Sequence, residues 1–279
     1  MIYDQLLFRG KEILKSKSII NASLDSELLL AEVLKISREK LLINLNKEAK
    51  NFEIEKFLFN INKRINNIPI AYILRKKEFW KTNFLLDRSV LIPRPETEIL
   101  VEEVLKNIKK EQKKNILDVG TGSGCILISI LKDRCHCMGT GIDLSRNALK
   151  IAKINAKMQH LSNRIKFIHS DIDKFKLNKY DIVVSNPPYI KKCLLNALSE
   201  DVKNEPTLAL DGGLNGSNQI YKVIKVSAKI LKKNGIMIIE IDETLLENIK
   251  KILKKYKFFL KNIVRDLRGH KRCIVSIKI

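Results

Sequence analysis

The feature that most constrains the fold is an alternation that begins after residue 115. Apolar runs at 116–119, 138–142, 165–168, 182–184 and 236–241 are separated, in most cases, by stretches with helical spacing. Strand and helix in alternation predict a parallel sheet with right-handed crossovers, because each helix must return over the face it covers. Two last apolar runs, 258–264 and 273–277, flank a charged turn from Arg265 to Arg272 and predict an antiparallel hairpin at the sheet edge. An α/β domain with a seven-stranded, mostly parallel sheet is therefore expected.

The chain ahead of this region has a different texture. Leu6, Leu7, Ile13 and Leu14, then Leu28, Leu29, Ala31 and Val33, and later Phe52, Ile54, Phe57, Leu58 and Ile61 recur at helical spacing. Ser23, ahead of Leu24-Asp25-Ser26-Glu27, reads as a helix start with acidic residues in the first turn. A small helical domain over 1–75 is expected. From Pro69 the pattern changes: Glu78-Phe79-Trp80 and Phe84-Leu85-Leu86 read as short extended pieces, and Pro93 and Pro95 bracket a stiff loop. The expected division is a helical domain at 1–75, a hairpin linker at 76–95 and the α/β domain at 96–279.

Two loops carry chemistry. Ile116-Leu117-Asp118-Val119-Gly120-Thr121-Gly122-Ser123-Gly124 is a strand running into a glycine-rich turn, with a helical run from Cys125 to Leu131 behind it. Glycine lets the backbone turn tightly and approach a ligand closely. The dinucleotide fingerprint would need glycine at Cys125, which disfavours nicotinamide and flavin. Asp143 ends the next strand, where a carboxylate can accept the hydroxyl protons of a ribose. A nucleoside-containing cofactor fits both features. The second loop, Ser185-Asn186-Pro187-Pro188-Tyr189, follows the fourth strand at the carboxyl edge of the sheet, where open α/β folds bind ligands.

The first loop resembles that of class I methyltransferases, whose cofactor is S-adenosylmethionine. That resemblance places Asp118 near the methionine amino group, Gly120, Thr121, Gly122, Ser123 and Gly124 around the cofactor, and Asp171 and Ile172 at its adenine ring. It also puts Asn186 beside the cofactor. An amide or amino-purine nitrogen is a poor nucleophile because its lone pair is delocalised. The Asn186 side-chain oxygen and the Pro187 carbonyl can each accept one of its N–H bonds and aim it at a sulfonium methyl. Pro187 and Pro188 stiffen the loop, and Tyr189 offers a flat face to a planar group.

Further segments narrow the substrate. Pro69-Ile70-Ala71-Tyr72 with Glu78-Phe79-Trp80 resembles the interdomain hairpin of the peptide chain release factor glutamine methyltransferases, the PrmC/HemK family. Leu91-Ile92-Pro93-Arg94-Pro95-Glu96-Thr97-Glu98 is similar to that family's signature ahead of its catalytic domain. Glu205-Pro206, Leu210, Gly212, Gly213 and Gly216 resemble its segment after the catalytic loop. One departure is Arg75, where the family usually has glycine, which implies a hairpin turn of different shape. Arg94 is open to a salt bridge or a substrate contact, and Glu240 to a structural or a pocket-lining place. The resemblance implies methylation of the glutamine of the Gly-Gly-Gln loop in class 1 release factors, on its amide nitrogen. The helical domain would then help to grip the factor.

The alternative is a DNA adenine or RNA guanine amino-methyltransferase, because such enzymes share the second loop and the chain carries a net charge of +22. The excess is diffuse, with 41 Lys against 12 Arg, spread among 23 Asn. The one arginine cluster, Arg265, Arg268 and Arg272, lies in the expected hairpin turn, so a stable nucleic-acid partner is not expected. A silent binding module is disfavoured by two intact loops. No stretch is long and apolar enough to span a bilayer, and Asp4 and Arg9 precede any signal-like run, so a cytoplasmic protein without a membrane partner is expected. The five cysteines fit a reducing compartment. Cys135-His136-Cys137, read as part of a strand, would point its ligands to alternate faces; buried, inert thiols rather than a metal are expected.

Overall fold

Apolar residues at helical spacing fold the start of the chain into α1 (Tyr3–Ser16), α2 (Ala22–Leu34), α3 (Arg38–Leu42), α4 (Asn51–Ile65) and α5 (Ile70–Leu74). In the computed structural model, which describes residues 1–175 and 179–279, Leu6, Leu14, Leu29, Leu30, Phe57 and Ile61 form the heart of this bundle. α2 begins earlier than its sequence suggests. Asn21 occupies the cap position, and Ser23 lies inside the first turn, donating to Glu27 Oε1 at 3.3 Å. The i,i+4 pairing of Ser23 with Glu27 engages the hydroxyl that a cap would have used.

The hairpin forms inside the expected span 76–95, but the segment 69–72 that resembled part of it does not join it. Ile70 to Tyr72 belong to α5, and the two-stranded sheet is built from β1 (Lys76–Phe79) and β2 (Thr82–Leu85), with Trp80 and Lys81 at the turn. Arg75 therefore does not shape the hairpin turn. It is the residue after α5, at φ 56°, in the left-handed conformation that ends many helices and that glycine adopts without a steric penalty.

The remaining elements are α6 (Glu98–Lys106), β3 (Asn115–Val119), α7 (Cys125–Asp133), β4 (Met138–Asp143), α8 (Arg146–Met158), β5 (Ile165–His169), β6 (Tyr180–Ser185), α9 (Glu200–Lys203), α10 (Asn218–Ile230), β7 (Leu231–Glu240), α11 (Leu246–Lys255), β8 (Phe258–Arg265) and β9 (Lys271–Lys278). Strands β3 to β9 form one seven-stranded sheet in the order β5-β4-β3-β6-β7-β9-β8. The first five pair in parallel; β9 runs antiparallel between β7 and β8. All seven expected strands are present, with the hairpin at the edge. Leu117, Val183, Ile224, Ile239 and Ile249 are fully buried between the sheet and its helices. The strand order reverses between β3 and β6, the place where an open α/β sheet leaves a crevice beyond its carboxyl ends.

Backbone contacts group the chain into two compact units, Met1–Lys76 with Ser199–Asn204, and Lys77–Leu198 with Glu205–Ile279. The hairpin thus falls almost wholly in the second unit, and α9 in the first. Within the first unit, Arg64 lies between two carboxylates: its Nε meets Asp25 at 2.7 Å, and its Nη atoms meet Asp201 at 2.7 and 2.9 Å. Such a fork satisfies a buried guanidinium that would otherwise be costly to desolvate.

The cysteines divide. Cys125, Cys137 and Cys273 are buried, whereas Cys135 and Cys193 are exposed, against the expectation of buried thiols. Cys135 to Cys137 stand in the turn before β4 rather than in a strand, so their side chains do not alternate across a sheet.

Candidate active site

The two loops singled out in the sequence meet at the switch point. Val119 at the end of β3 pairs with Ser185 at the end of β6, and the Ser185 hydroxyl donates to the Val119 carbonyl at 2.7 Å. This places the turn 120–124 next to the loop 186–189.

The glycine turn wraps the end of β4. The Gly120 and Thr121 N–H groups donate to the Ile142 carbonyl at 2.9 and 3.0 Å, and Gly124 N–H to the Thr121 carbonyl at 2.8 Å. Gly120 has φ 71°, and a side chain built there would meet nothing within 4 Å, so its face opens on free space. Asn155 anchors the turn from behind. Its Nδ2 donates to the Ser123 carbonyl at 2.9 Å, while its Oδ1 accepts from the Leu85 N–H at 2.7 Å. It was not legible as a site residue in the sequence; the available signal was one amide on the otherwise apolar buried face of α8.

Asp118 is fully buried beneath this turn. Its Oδ2 accepts the Thr121 hydroxyl at 2.7 Å, but Oδ1 makes no hydrogen bond of normal geometry among the described residues. Burial pushes its pKa up to about 7, the Thr121 bond opposing the shift and Asp143 adding to it; the Leu127 N–H is the smallest influence. A carboxylate with one oxygen unmet is an incomplete site for a cation. Asp143, at the end of β4, accepts the Gly122 N–H at 2.9 Å and the Ser145 N–H at 2.8 Å, one on each oxygen. Each oxygen keeps a further lone pair for a hydroxyl donor. Burial raises its pKa as well, against those backbone bonds. Asp171 caps a 3-10 turn by accepting the Asp173 N–H, which leaves the Ile172 side chain buried after β5. Cys125, at the start of α7, is pushed up to about 12 by burial and is no nucleophile.

The second loop is held by bonds of a different kind. Asn186 is half-buried, and its Nδ2 donates to Thr97 Oγ1 at 3.1 Å. The Thr97 hydroxyl donates to Glu240 Oε2 at 2.7 Å, and the Tyr189 hydroxyl to Glu240 Oε1 at 3.0 Å. Burial raises the pKa of both Glu240 and Tyr189. Thr97 belongs to the segment 91–98 that resembles the family signature, but its contact with Asn186, 89 positions away, has no local signal. Pro187 is buried and Pro188 half-buried. Behind Tyr189 the backbone is clamped: Gly212 N–H donates to the Ile190 carbonyl at 2.8 Å, and Ile190 N–H to the Leu210 carbonyl at 3.2 Å. A side chain at Gly212 would come within 2.7 Å of the Tyr189 Cα, so only glycine allows this approach.

Arg94 and Glu205 form an ion pair, and Glu205 also accepts the Ile92 N–H at 3.0 Å. Of the two places open to Arg94, it takes the salt bridge, tying the segment before α6 to the segment after the loop 186–189. In the edge hairpin, Arg272 pairs with Asp266 at 3.2 Å, and Arg265 bonds the Gly269 carbonyl at 2.5 Å, so two members of the arginine cluster serve the turn itself.

Comparison with known proteins agrees with this geometry. Residues 110–273 match the model of a methyltransferase domain, and residues 5–74 that of the PrmC N-terminal domain. A release factor glutamine methyltransferase of Clostridium botulinum is 37% identical over 282 residues, covering 100% of both chains. One from Caulobacter vibrioides is 32% identical, over 96% of this chain and 94% of that protein. The crystal structure of a methyltransferase from Pyrococcus furiosus covers 70% of this chain and 88% of its own at TM-score 0.53 and 14% identity, which shows a shared fold. The two domain matches, together with relatives 32–37% identical over nearly the whole length of both chains, show that the chain belongs to the release factor glutamine methyltransferase family.

Proposed function

We propose that this protein transfers a methyl group from S-adenosylmethionine to the side-chain amide nitrogen of the Gly-Gly-Gln glutamine in class 1 peptide chain release factors. The full-length relatives support the substrate, and one observation supports the chemistry: a planar-nitrogen acceptor, Asn186, stands beside a glycine turn whose buried Asp118 has an unmet oxygen.

The residues present fit the cofactor. Asp118 Oδ1 would take its amino group, the turn from Gly120 to Gly124, open at Gly120 and Gly122, its methionine and ribose, Asp143 the ribose hydroxyls, and Asp171 and Ile172 the adenine. When bound, S-adenosylmethionine supplies a methyl on a positively charged sulfur. Everything else falls to the chain. Asn186 Oδ1 and the Pro187 carbonyl accept the two N–H bonds of the substrate amide, which fixes the direction of its nitrogen lone pair. Two prolines hold these acceptors in place beforehand, so little ordering is left for the moment of reaction. Pro188 and Tyr189 pack the planar amide. The proton left on nitrogen after transfer is acidic enough to pass to water, so no side-chain base is required.

The helical unit fits a docking role for the factor: Phe8, Phe52 and Phe59 expose more than half of their surface there. Among the described residues no helix is long and apolar enough to cross a membrane.

The test is to incubate purified protein, labelled S-adenosylmethionine and a class 1 release factor. Label should enter the factor, and should not enter one whose Gly-Gly-Gln glutamine is replaced by alanine. Label entering tRNA or DNA in place of the factor would overturn the proposal.

A further inference from the structure

Glu240 is the least explained charge in the catalytic unit. It is 3% exposed, at the last position of β7, and forms no ion pair among the described residues. Its two hydrogen-bond donors are neutral hydroxyls, those of Thr97 and Tyr189. Leaving a carboxylate so placed is costly, and an apolar side chain would fill the space without that cost.

What an apolar side chain would not do is fix a direction. Each carboxylate oxygen accepts one of these hydroxyls, so both point their protons at Glu240. Thr97 has one proton, and it is committed to Glu240. Toward Asn186 the Thr97 oxygen therefore presents lone pairs alone, which select Nδ2 as the carboxamide end that faces Thr97. The other end, Oδ1, is then turned away from Thr97. The two ends of an asparagine amide have nearly the same shape, and packing discriminates poorly between them. Only one end is useful: Oδ1 accepts from a substrate N–H, whereas Nδ2 would oppose a donor with a donor.

We propose that Glu240 and Thr97 are positioning residues that set the orientation of the Asn186 carboxamide, so that its oxygen is presented to the amide being methylated. The relay runs carboxylate, threonine O–H, asparagine N–H, with the free asparagine oxygen at its end. Each donor in such a chain is polarised by the acceptor behind it, which makes the hydrogen bonds cooperative. The Tyr189 bond to the other carboxylate oxygen extends the device to the residue at the end of the loop, so one buried group orients both. The proposal rests on the amide-methylation reading above.

The test compares Thr97→Val, Thr97→Ser and Glu240→Gln with wild type in release-factor methylation, with cofactor Kd measured in parallel. Thr97→Val keeps shape and loses the relay; kcat should fall about 10²-fold, the scale of a misplaced reacting group. Thr97→Ser restores the hydroxyl and should recover kcat to within a few-fold of wild type. Glu240→Gln replaces one acceptor with a donor, so one of the two hydroxyls must reverse; kcat should fall by at least about tenfold. In all three, cofactor Kd and KM for the factor should stay close to wild type. Full activity of Thr97→Val, failure of Thr97→Ser to recover it, or a loss carried by KM or cofactor Kd would overturn the proposal. Wild type that leaves the factor unmethylated would overturn both this proposal and the function on which it rests.

Discussion

The loops that follow β3 and β6 lie side by side at one edge of the sheet, yet they are opposites in how they are held. The glycine turn after β3 is left unfinished by the protein: Asp118 keeps one oxygen without a partner, and Gly120 opens on empty space. The proline loop after β6 is braced by the protein: Thr97 and Tyr189 donate to Glu240, Asn186 Nδ2 donates to Thr97, and Gly212 clamps the backbone behind them. The contrast matches what the proposed function asks of each loop. A cofactor that stays through a reaction can complete its own site, whereas a substrate loop that comes and goes needs acceptors already aimed. The first loop should therefore control binding, and the second should control turnover.

The largest effect should come from the braced loop. Asn186→Ala should lower kcat by about 10²- to 10³-fold, the scale of losing one preorganised polar contact in a transition state. Calorimetry should find cofactor Kd within a few-fold of wild type. A loss of cofactor affinity as large as the loss of kcat would erase the distinction between the loops. Next is the unfinished loop: Asp118→Asn should weaken cofactor binding by about 10²-fold, as for removal of one partner from a buried charge pair. Its kcat at saturating cofactor should move much less.

A third prediction uses the titration of Asp118. A cationic amino group favours the ionised carboxylate, and the pKa in the free protein is about 7. Below pH 7, binding must first remove a proton, so the apparent cofactor Kd should rise by up to about tenfold per pH unit of acidification. The raised pKa of Asp143 acts in the same direction. Stability of the cofactor-free protein should show the opposite sign: the folded state holds this proton from the ordinary value of 3.8 up to about 7, so its contribution is lost as pH rises through that window. A flat Kd between pH 5.5 and 7, at the scale of a one-unit titration, would place the cation elsewhere.

The smallest effect on turnover is expected at Gly212→Ala. The new methyl would sit within 2.7 Å of both the Tyr189 Cα and the Gly216 carbonyl oxygen. Strain of about 1–3 kcal/mol is expected, read as a lowered thermal midpoint, with a few-fold loss of kcat as the clamp behind Tyr189 loosens. An unchanged midpoint would mean that the segment 212–216 moves freely.

These comparisons also explain what was legible in the sequence. The sheet was, because each strand is a dense apolar run, and both loops were, because glycine and proline mark backbone geometry locally. Ser23 and Arg75 misled for the same local reason: a serine near a helix start has two possible partners, and a left-handed residue ends a helix as readily as it shapes a turn. Thr97 and Glu240 were beyond local reading. They lie 143 positions apart and meet only when α6 and β7 pack. Arg94 with Glu205, and Asn155 with the glycine turn, are of the same kind. Long-range partners of a site residue carry no pattern of their own.

The measurement closest to the central claim is tandem mass spectrometry of the release factor after incubation with this protein and S-adenosylmethionine. The account predicts one added methyl on the side-chain amide of the Gly-Gly-Gln glutamine, and none after incubation with Asn186→Ala for the same time. A methyl on any other residue, or an unmodified glutamine with the wild-type protein, would contradict it.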